Sequence, residues 1–330
     1  MDSEELTLHL SSNKSKFFIF IITIFTLVIS LLGTSESYSQ LRVDERLEFY
    51  NVSKGDSFNS IFNDFDLHPI QKFFFKIYLK KNKLQVAQAG HYYLKNKSWK
   101  EFLNSVSNGD VVIFKLEIPS GKNLYEIKKI ISESNFKNDC DNFDCLDNKF
   151  NFVEGTLNPD TYFYKHSSSL ASILQKSQTE FFQLATNLWI NKNPQLPIKN
   201  LSDAIILASI VEKEAGNDDE KPIIAGVFLH RISIGMKLQA DPTIIYGLLP
   251  NFNGDITKAN LRDKNNLYNT YQISGLPPTP ISTVSKSSLE AVILGMKNDY
   301  LYFVAKGDGT HKFSKTYQEH LDAVKRYQLN

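Results

Sequence analysis

The chain opens on a polar stretch and then turns apolar without interruption from Phe17 to Gly33, FFIFIITIFTLVISLLG, with no charge inside the run. A helix apolar on every face, so close to the terminus that nothing precedes it to pack against, matches a membrane-spanning segment better than a core helix. The pattern predicts a short tail over 1–16, a transmembrane helix over 17–33 and a polar, Ser-rich linker over 34–41. Lys14 and Lys16 stand before the run, and Glu36 and Asp44 follow it. The positive-inside bias therefore puts the tail in the cytoplasm and the bulk of the chain across the membrane. The rival reading is a cleaved signal peptide. Its apolar core would be unusually long, and no small-x-small site follows Leu32.

Beyond the linker the periodicity switches repeatedly between strand and helix. Arg46 to Val52 alternates like a strand, and Lys54-Gly-Asp-Ser57 turns into a helix capped by Ser57, with Ile61, Phe62 and Phe65 on its buried side. A second helix runs from Pro69 to Leu79, a strand from Gly90 to Leu94, a helix from Trp99 to Val106 capped by Ser98, and a strand from Val111 to Ile118. Next come a helix over Leu124 to Ser134, an Asn/Asp-rich stretch, and a long helix over Ser168 to Trp189. Leu201 to Gly216 reads as a helix capped by Ser202, with Leu201 as a hydrophobic staple and Gly216 in the left-handed position past its end. A helix from Asp219 to Ile234 stops at Gly235. Asp241-Pro242 caps a short helix to Tyr246, with Gly247 past its end, and Asn266 to Gly275 is an extended or loop segment. Ser285 caps a helix to Met296, Tyr300–Ala305 and His311–Phe313 form a hairpin around Gly307-Asp-Gly309, and a final helix spans Thr316 to Tyr327. The fold class is α+β, with one small unit over 42–118 and a larger one over 119–330.

Composition narrows the function. The 330 residues carry a net charge of +1, which gives no electrostatic case for nucleic acid. The 15 Tyr and 24 Phe suit sugar stacking and ordinary cores alike. Cys140 and Cys145 are the only cysteines; their spacing permits a local disulfide in an oxidising compartment, with two free thiols as the plain alternative. No metal site is expected, since no His or third Cys stands near them, and no cofactor is implied. The sequence has no His-Glu-x-x-His and no Gly-x-Ser-x-Gly.

The candidate chemistry lies in Leu207-Ala-Ser-Ile-Val-Glu-Lys-Glu-Ala-Gly216. At about 100° per residue, Glu212 and Glu214 point roughly 200° apart and cannot flank one bond. Glu214 shares the stripe of Ile206, Leu207 and Ile210, where desolvation would raise its pKa and make it a proton donor. Glu212 falls on the other side with Ala208 and Ser209, as a solvent-side or hydrogen-bonding support for the helix end. Conventional glycosidases need two carboxyl groups across the bond. Asp241 and Asp263 are available, but each also has a cap or turn explanation. One acid suffices if the substrate supplies its own nucleophile, as when the C6 hydroxyl of an N-acetylmuramic acid residue attacks its own C1. Glu214 would then protonate the bridging oxygen and later take the C6 proton.

Ala208-Ser-Ile-Val-Glu-Lys-Glu-Ala215, Arg231-x-x-x-Gly-Met-x-Leu-Gln-x-Asp-Pro-Thr243, Tyr246-Gly247, Tyr268-Asn-Thr-Tyr271, Gly275-Leu-Pro-Pro278, Tyr300–Ala305 and Gly309-Thr-His-Lys-Phe313 together resemble the signature blocks of the endolytic murein transglycosylase (MltG, YceG-like) family. The resemblance runs from about residue 150 to the end, and more loosely before it. It implies a single-pass inner-membrane protein with a periplasmic enzyme that cleaves nascent peptidoglycan strands, leaves 1,6-anhydro ends and ends glycan growth beside penicillin-binding synthases. It maps the family's catalytic glutamate onto Glu214, with Glu212 as fallback and as a candidate substrate contact. It places Gln239 and Asp241 at the cleft, where Asn269 and Tyr271 would bind and stack on N-acetyl sugars. Tyr246 and Tyr268 read as core. Glu154 and Asp160 lie in a block resembling the family's Glu-Gly-x-x-x-Pro-Asp-Thr, with Asn158 where an aromatic is usual, and would shape the domain junction. The strand-helix-helix-strand order of 42–118 resembles a LysM-like carbohydrate-binding module, and equally fits a plain α/β packing domain. A water-using muramidase and a non-catalytic glycan-binding scaffold are the alternatives.

Overall fold

The computed structural model describes residues 3–44 and 46–329. Met1, Asp2, Glu45, Asn330 and the side chains of residues 3–14 lie outside the described residues, and with them most of the expected tail over 1–16, Lys14 included. The chain divides into two compact units, Met1–Phe114 and Lys115–Asn330.

The first unit holds helix α1 (Ser3–Ser39), strand β1 (Phe49–Val52), helices α2 (Phe58–Asp64) and α3 (Pro69–Lys81), strand β2 (Gly90–Tyr93) and helix α4 (Trp99–Asn108). Within α1, Ser15–Ser39 is long and apolar enough to cross a membrane. Phe17, Phe18 and Phe25 on it are each more than 60 % exposed, which is consistent with a single-pass membrane anchor. The expected linker over 34–41 instead continues the helix to Ser39. Polarity predicted a break there, but the hydroxyls fold back onto the helix: Thr34 donates to the Ser30 carbonyl and Ser35 to that of Leu32, each at 2.8 Å. Tyr38 stacks on Phe74 of α3 at 4.9 Å, and Glu36 pairs with Lys81 and Lys100. β1 and β2 pair antiparallel, with Phe49 opposite Tyr93 and Val52 opposite Gly90. Ser57 and Ser98 cap α2 and α4 with reciprocal capping boxes. The core beneath is aromatic, centred on Phe62, Phe75, Tyr92 and Phe102.

The second unit is helical, with two small two-stranded sheets. Strand β3 (Ile113–Ile118) enters it and pairs with β4 (Asp160–Lys165). Helix α5 (Leu124–Ser132) leads to a 3-10 turn at Asp141–Phe143, which is flanked by Cys140 and Cys145, joined as a disulfide. There follow α6 (Leu170–Ile190), α7 (Leu201–Glu214), a 3-10 turn at Asp218–Glu220, α8 (Lys221–Ser233), α9 (Asp241–Leu248), α10 (Lys258–Arg262) and α11 (Lys286–Glu290). The chain closes with the hairpin of β5 (Tyr302–Ala305) and β6 (His311–Ser314) and with α12 (Tyr317–Tyr327).

At the centre lies α7. Every residue from Ala204 to Val211 is buried, including Ala208 and Ser209, which the helical wheel assigns to the opposite side from Ile210. Neighbours surround the helix, so it has no polar face over these turns. Ser209 is satisfied locally: its hydroxyl donates to the Ile206 carbonyl and accepts the Ile281 amide. Asn200, not Ser202, caps the start, its side chain accepting the Asp203 amide at 2.8 Å. Ser202 instead donates to that cap. After Glu214 the chain leaves through Ala215 in an extended conformation, so Gly216 is not a left-handed cap. Its need for glycine is one of space, since a Cβ there would stand 2.3 Å from the Gly309 carbonyl oxygen at the tip of the β5–β6 hairpin. Gly247 likewise lies inside α9 rather than past it, and its need for glycine is again one of space, since a Cβ there would meet Asn266 Oδ1 at 1.9 Å.

Candidate active site

Glu214 ends α7, and its carboxyl opens into a cleft of about 530 Å³ in the second unit. Four parts of the chain build the walls: Arg231 from α8, the segment around Gln239 and Asp241 that opens α9, Tyr271 from the following loop, and the hairpin with α12, which brings Tyr302, His311 and His320. The wall segments are held by long-range hydrogen bonds. The Gln239 amide donates to the Thr270 carbonyl at 3.2 Å, the Ala240 amide to Thr270 Oγ1 at 2.9 Å, and Lys237 Nζ to the Tyr271 carbonyl at 2.8 Å. Gln239 is thereby held at φ +51, a left-handed conformation costing a non-glycine residue on the order of 1 kcal/mol. Backbone strain of this kind gathers at binding sites, where the surroundings dictate the side-chain direction.

Burial pushes the Glu214 carboxyl up to about 8; the negative charge of Asp241 adds to this, and the positive charge of Arg231 opposes it. The position at the carbonyl end of α7 acts in the same direction as burial, because that end of a helix disfavours an anion. Glu214 is half-buried rather than sealed, and its exposed part faces the cleft. Such a group carries its proton at neutral pH and can give it to a bound substrate.

The sequence pattern assigns no role to Arg231. It is 6 % exposed, follows His230 at the end of the apolar run of α8, and donates from Nε to the Leu301 carbonyl at 2.8 Å and from its terminal nitrogen to the Leu238 carbonyl. The guanidinium lies 5.6 Å from the Tyr302 ring centroid. A lone Arg in an apolar helix is the signal that could have marked it.

Asp241 differs from expectation. The residue before it, Ala240, occupies the cap position without a side-chain bond, and Asp241 is the first residue of α9. Its carboxylate instead accepts the Tyr271 hydroxyl at 2.7 Å. Glu214 is therefore not the cleft's lone acid; Asp241 and Tyr271 line the same space.

Two expected sugar contacts lie elsewhere. Glu212 does not line the cleft, and its side chain is 7 % exposed. It accepts bonds from the Ser285 amide and from the Ser285 and Ser288 hydroxyls at the start of α11, and pairs with Lys221 at 3.3 Å. Burial pushes its carboxyl up, but these hydrogen bonds and Lys221 outweigh burial and hold it below the usual carboxylate range. The helical wheel separated the two acids correctly, yet the side assigned to solvent is filled by α11. Asn269 is fully buried; its amide donates to the carbonyls of Asn260, Leu261 and Asp263, and its Oδ1 accepts the Tyr271 amide at 3.1 Å. It shapes the loop that presents Tyr271.

Tyr246 and Tyr268 pack on the core. Glu154 is buried within the second unit rather than at a junction between units. It accepts the Leu124 amide at the start of α5 at 3.1 Å and the Tyr246 hydroxyl at 2.9 Å, and burial pushes it up to about 7. Asp160 caps its own strand locally, accepting the Thr161 amide at 2.7 Å. Among the described residues no group of three His, Cys, Asp or Glu side chains is arranged to hold a metal ion.

Comparison with known proteins matches residues 50–326 to the model of the YceG-like family. The endolytic murein transglycosylase of Bacillus subtilis (strain 168) is 35 % identical over 178 residues, covering 53 % of this chain and 48 % of that protein. The endolytic murein transglycosylase of Streptococcus pneumoniae serotype 2 (strain D39) is 32 % identical over 158 residues, 46 % of this chain and 28 % of that protein. The chain thus spans about half the length, or less, of these curated relatives. A crystal structure of a YceG-like protein of Listeria monocytogenes superposes with a TM-score of 0.57 at 27 % identity, covering 83 % of this chain and 97 % of that one.

Proposed function

The chain belongs to the YceG-like family, and from that membership and the cleft around Glu214 we propose that it is an endolytic lytic transglycosylase acting on peptidoglycan glycan strands. The observation that carries this reading is a half-buried carboxyl pushed up to about 8 in an open cleft walled by Arg231, Asp241, Tyr271 and Tyr302. Glu214 gives its proton to the oxygen bridging N-acetylmuramic acid and N-acetylglucosamine as the C1–O bond breaks. The C6 hydroxyl of the muramyl residue closes on C1, and its proton returns to the Glu214 carboxylate, which restores the acid. The product is a 1,6-anhydro end, and no water is consumed. Arg231 offsets the carboxylate formed at Glu214 when its proton leaves, and Gln239 and Tyr271 hold the sugars. No step needs a metal or a cofactor.

The remaining assignments belong to the same reading. Segment 17–33 is a single-pass anchor in the inner membrane, with residues 1–16 cytoplasmic and the enzyme periplasmic. Residues 42–118 form a LysM-like module that binds glycan, and 119–330 form the catalytic domain. Cutting strands internally would end their elongation by penicillin-binding synthases.

One observation favours a second reading: Asp241 shares the cleft with Glu214, which is the equipment of a two-carboxylate hydrolase. Digestion of purified sacculi separates the two by the mass of the released termini. The transglycosylase leaves muramyl ends lighter by one water than the reducing ends of a hydrolase. Glu214→Gln should abolish release while sacculus binding survives. Reducing ends, or full digestion by Glu214→Gln, would overturn the proposal.

A further inference from the structure

His311, on β6, lines the same cleft as Glu214 and is held in an unusual way. Its ring Nδ1 lies 2.8 Å from Glu220 Oε2, and its backbone amide donates to Glu220 Oε1, also at 2.8 Å. Glu220 is 9 % exposed, and both of its oxygens serve this one residue. Burying a carboxylate is costly unless it is well bonded. Glu220 closes the 3-10 turn in front of α8, where the amide end of that helix favours an anion. A carboxylate only accepts, so Nδ1 carries the hydrogen in the neutral ring and Nε2 keeps a lone pair. The Phe303 ring meets the imidazole edge-on, with centroids 5.4 Å apart.

The hairpin that carries His311 is fixed against the chain leaving Glu214. Gly216 permits close approach of the Gly309 carbonyl, and Asn217 Nδ2 donates to that same oxygen at 3.5 Å. Both contacts converge on the Gly309 carbonyl oxygen and hold the hairpin to the segment that follows Glu214, although 97 positions separate His311 from Glu214 in the chain.

We propose that His311 is a second catalytic residue, the base that receives the C6 hydroxyl proton while Glu214 protonates the leaving oxygen. This rests on the transglycosylase reading and transfers one role within it from Glu214 to the imidazole. The C6–O–H bond breaks as the O6–C1 bond forms, and the proton goes to Nε2. The C1–O bond breaks, and its oxygen takes the Glu214 proton. The imidazolium, paired with Glu220, and the Glu214 carboxylate then exchange a proton through solvent, which restores both groups. Dividing the work lets protonation and attack proceed together, whereas one carboxyl must serve two oxygens in turn.

The test uses the full-length protein in detergent on purified sacculi. In His311→Asn the amide still donates to Glu220 but offers no basic nitrogen. Release of anhydro-muramyl products should fall on the order of 100-fold or more, with sacculus binding and melting temperature close to wild type. His311→Ala should regain activity when imidazole is added, which a merely structural role would not produce. Glu214→Gln should be inactive with or without imidazole. If His311→Asn works within about threefold of wild type, or if His311→Ala is inactive and imidazole does not restore it, the assignment to His311 falls. Activity in Glu214→Gln would instead overturn the underlying reading.

Discussion

Replacing Glu214 by Gln should stabilise the protein in alkali and leave it almost unchanged in acid. The folded chain holds the Glu214 proton up to about 8, whereas an unfolded chain releases it near 4.5. Between those limits the folded state binds more protons, so stability is lost as pH rises through the window and the loss is complete above its upper end. At about 1.4 kcal/mol per tenfold change in the proton equilibrium, the full displacement corresponds to roughly 5 kcal/mol. The half-open carboxyl is partly solvated, which trims this to about 2–4 kcal/mol. Gln keeps the shape and never ionises, so it escapes the penalty at every pH. Calorimetric melting of wild type and variant in detergent, at pH about 4 and about 9, reads the difference directly, and titrations remote from Glu214 cancel between the two proteins. The melting temperatures should agree within about a degree at the lower pH. At the higher pH the variant should melt on the order of 5–10 °C above wild type. An equal offset at both pH values would refute the argument, because it would mean that the carboxyl carries the same charge at both.

Glu212→Gln should show the opposite pH dependence. Its carboxyl is held below the usual range by Ser285, Ser288 and Lys221, so its contribution is present at neutral pH and lost as pH falls. The change should cost about 2–4 kcal/mol near pH 7, by leaving Lys221 short of its buried partner, and clearly less near pH 4; urea titrations at the two pH values check this. Gly216→Ala places a Cβ 2.3 Å from the Gly309 carbonyl oxygen. That should cost about 1–3 kcal/mol in urea unfolding and lower sacculus digestion severalfold, by displacing the hairpin that lines the cleft.

The local features of the chain are legible in its sequence. The uncharged run over 17–33, the caps at Ser57, Ser98 and Ser285, and the closing hairpin and helix all follow from neighbours within four positions. Even there, neighbouring capping residues compete: Asn200 takes the role expected of Ser202 because its amide oxygen reaches the Asp203 amide. The mixed α+β class and the placing of Glu214 at the end of a buried helix were also legible, since both rest on periodicity.

Sequence by itself determined where most helices and strands lie (the helical segment 34–39, strand β4 and helix α10 excepted), where the apolar span lies, and that Glu214 and Glu212 leave α7 in opposite directions, because backbone geometry is set largely by short-range sterics and hydrogen bonds. Only the tertiary structure decided what each direction meets. It closed α11 over Glu212, buried Asn269 beneath its own loop, released Asp241 from capping into the cleft, and set Glu220 beneath His311, 91 positions away. Those outcomes depend on contacts between distant segments. The chemistry of a carboxyl or an imidazole is set by the solvent and charges it finally meets, which no local pattern encodes.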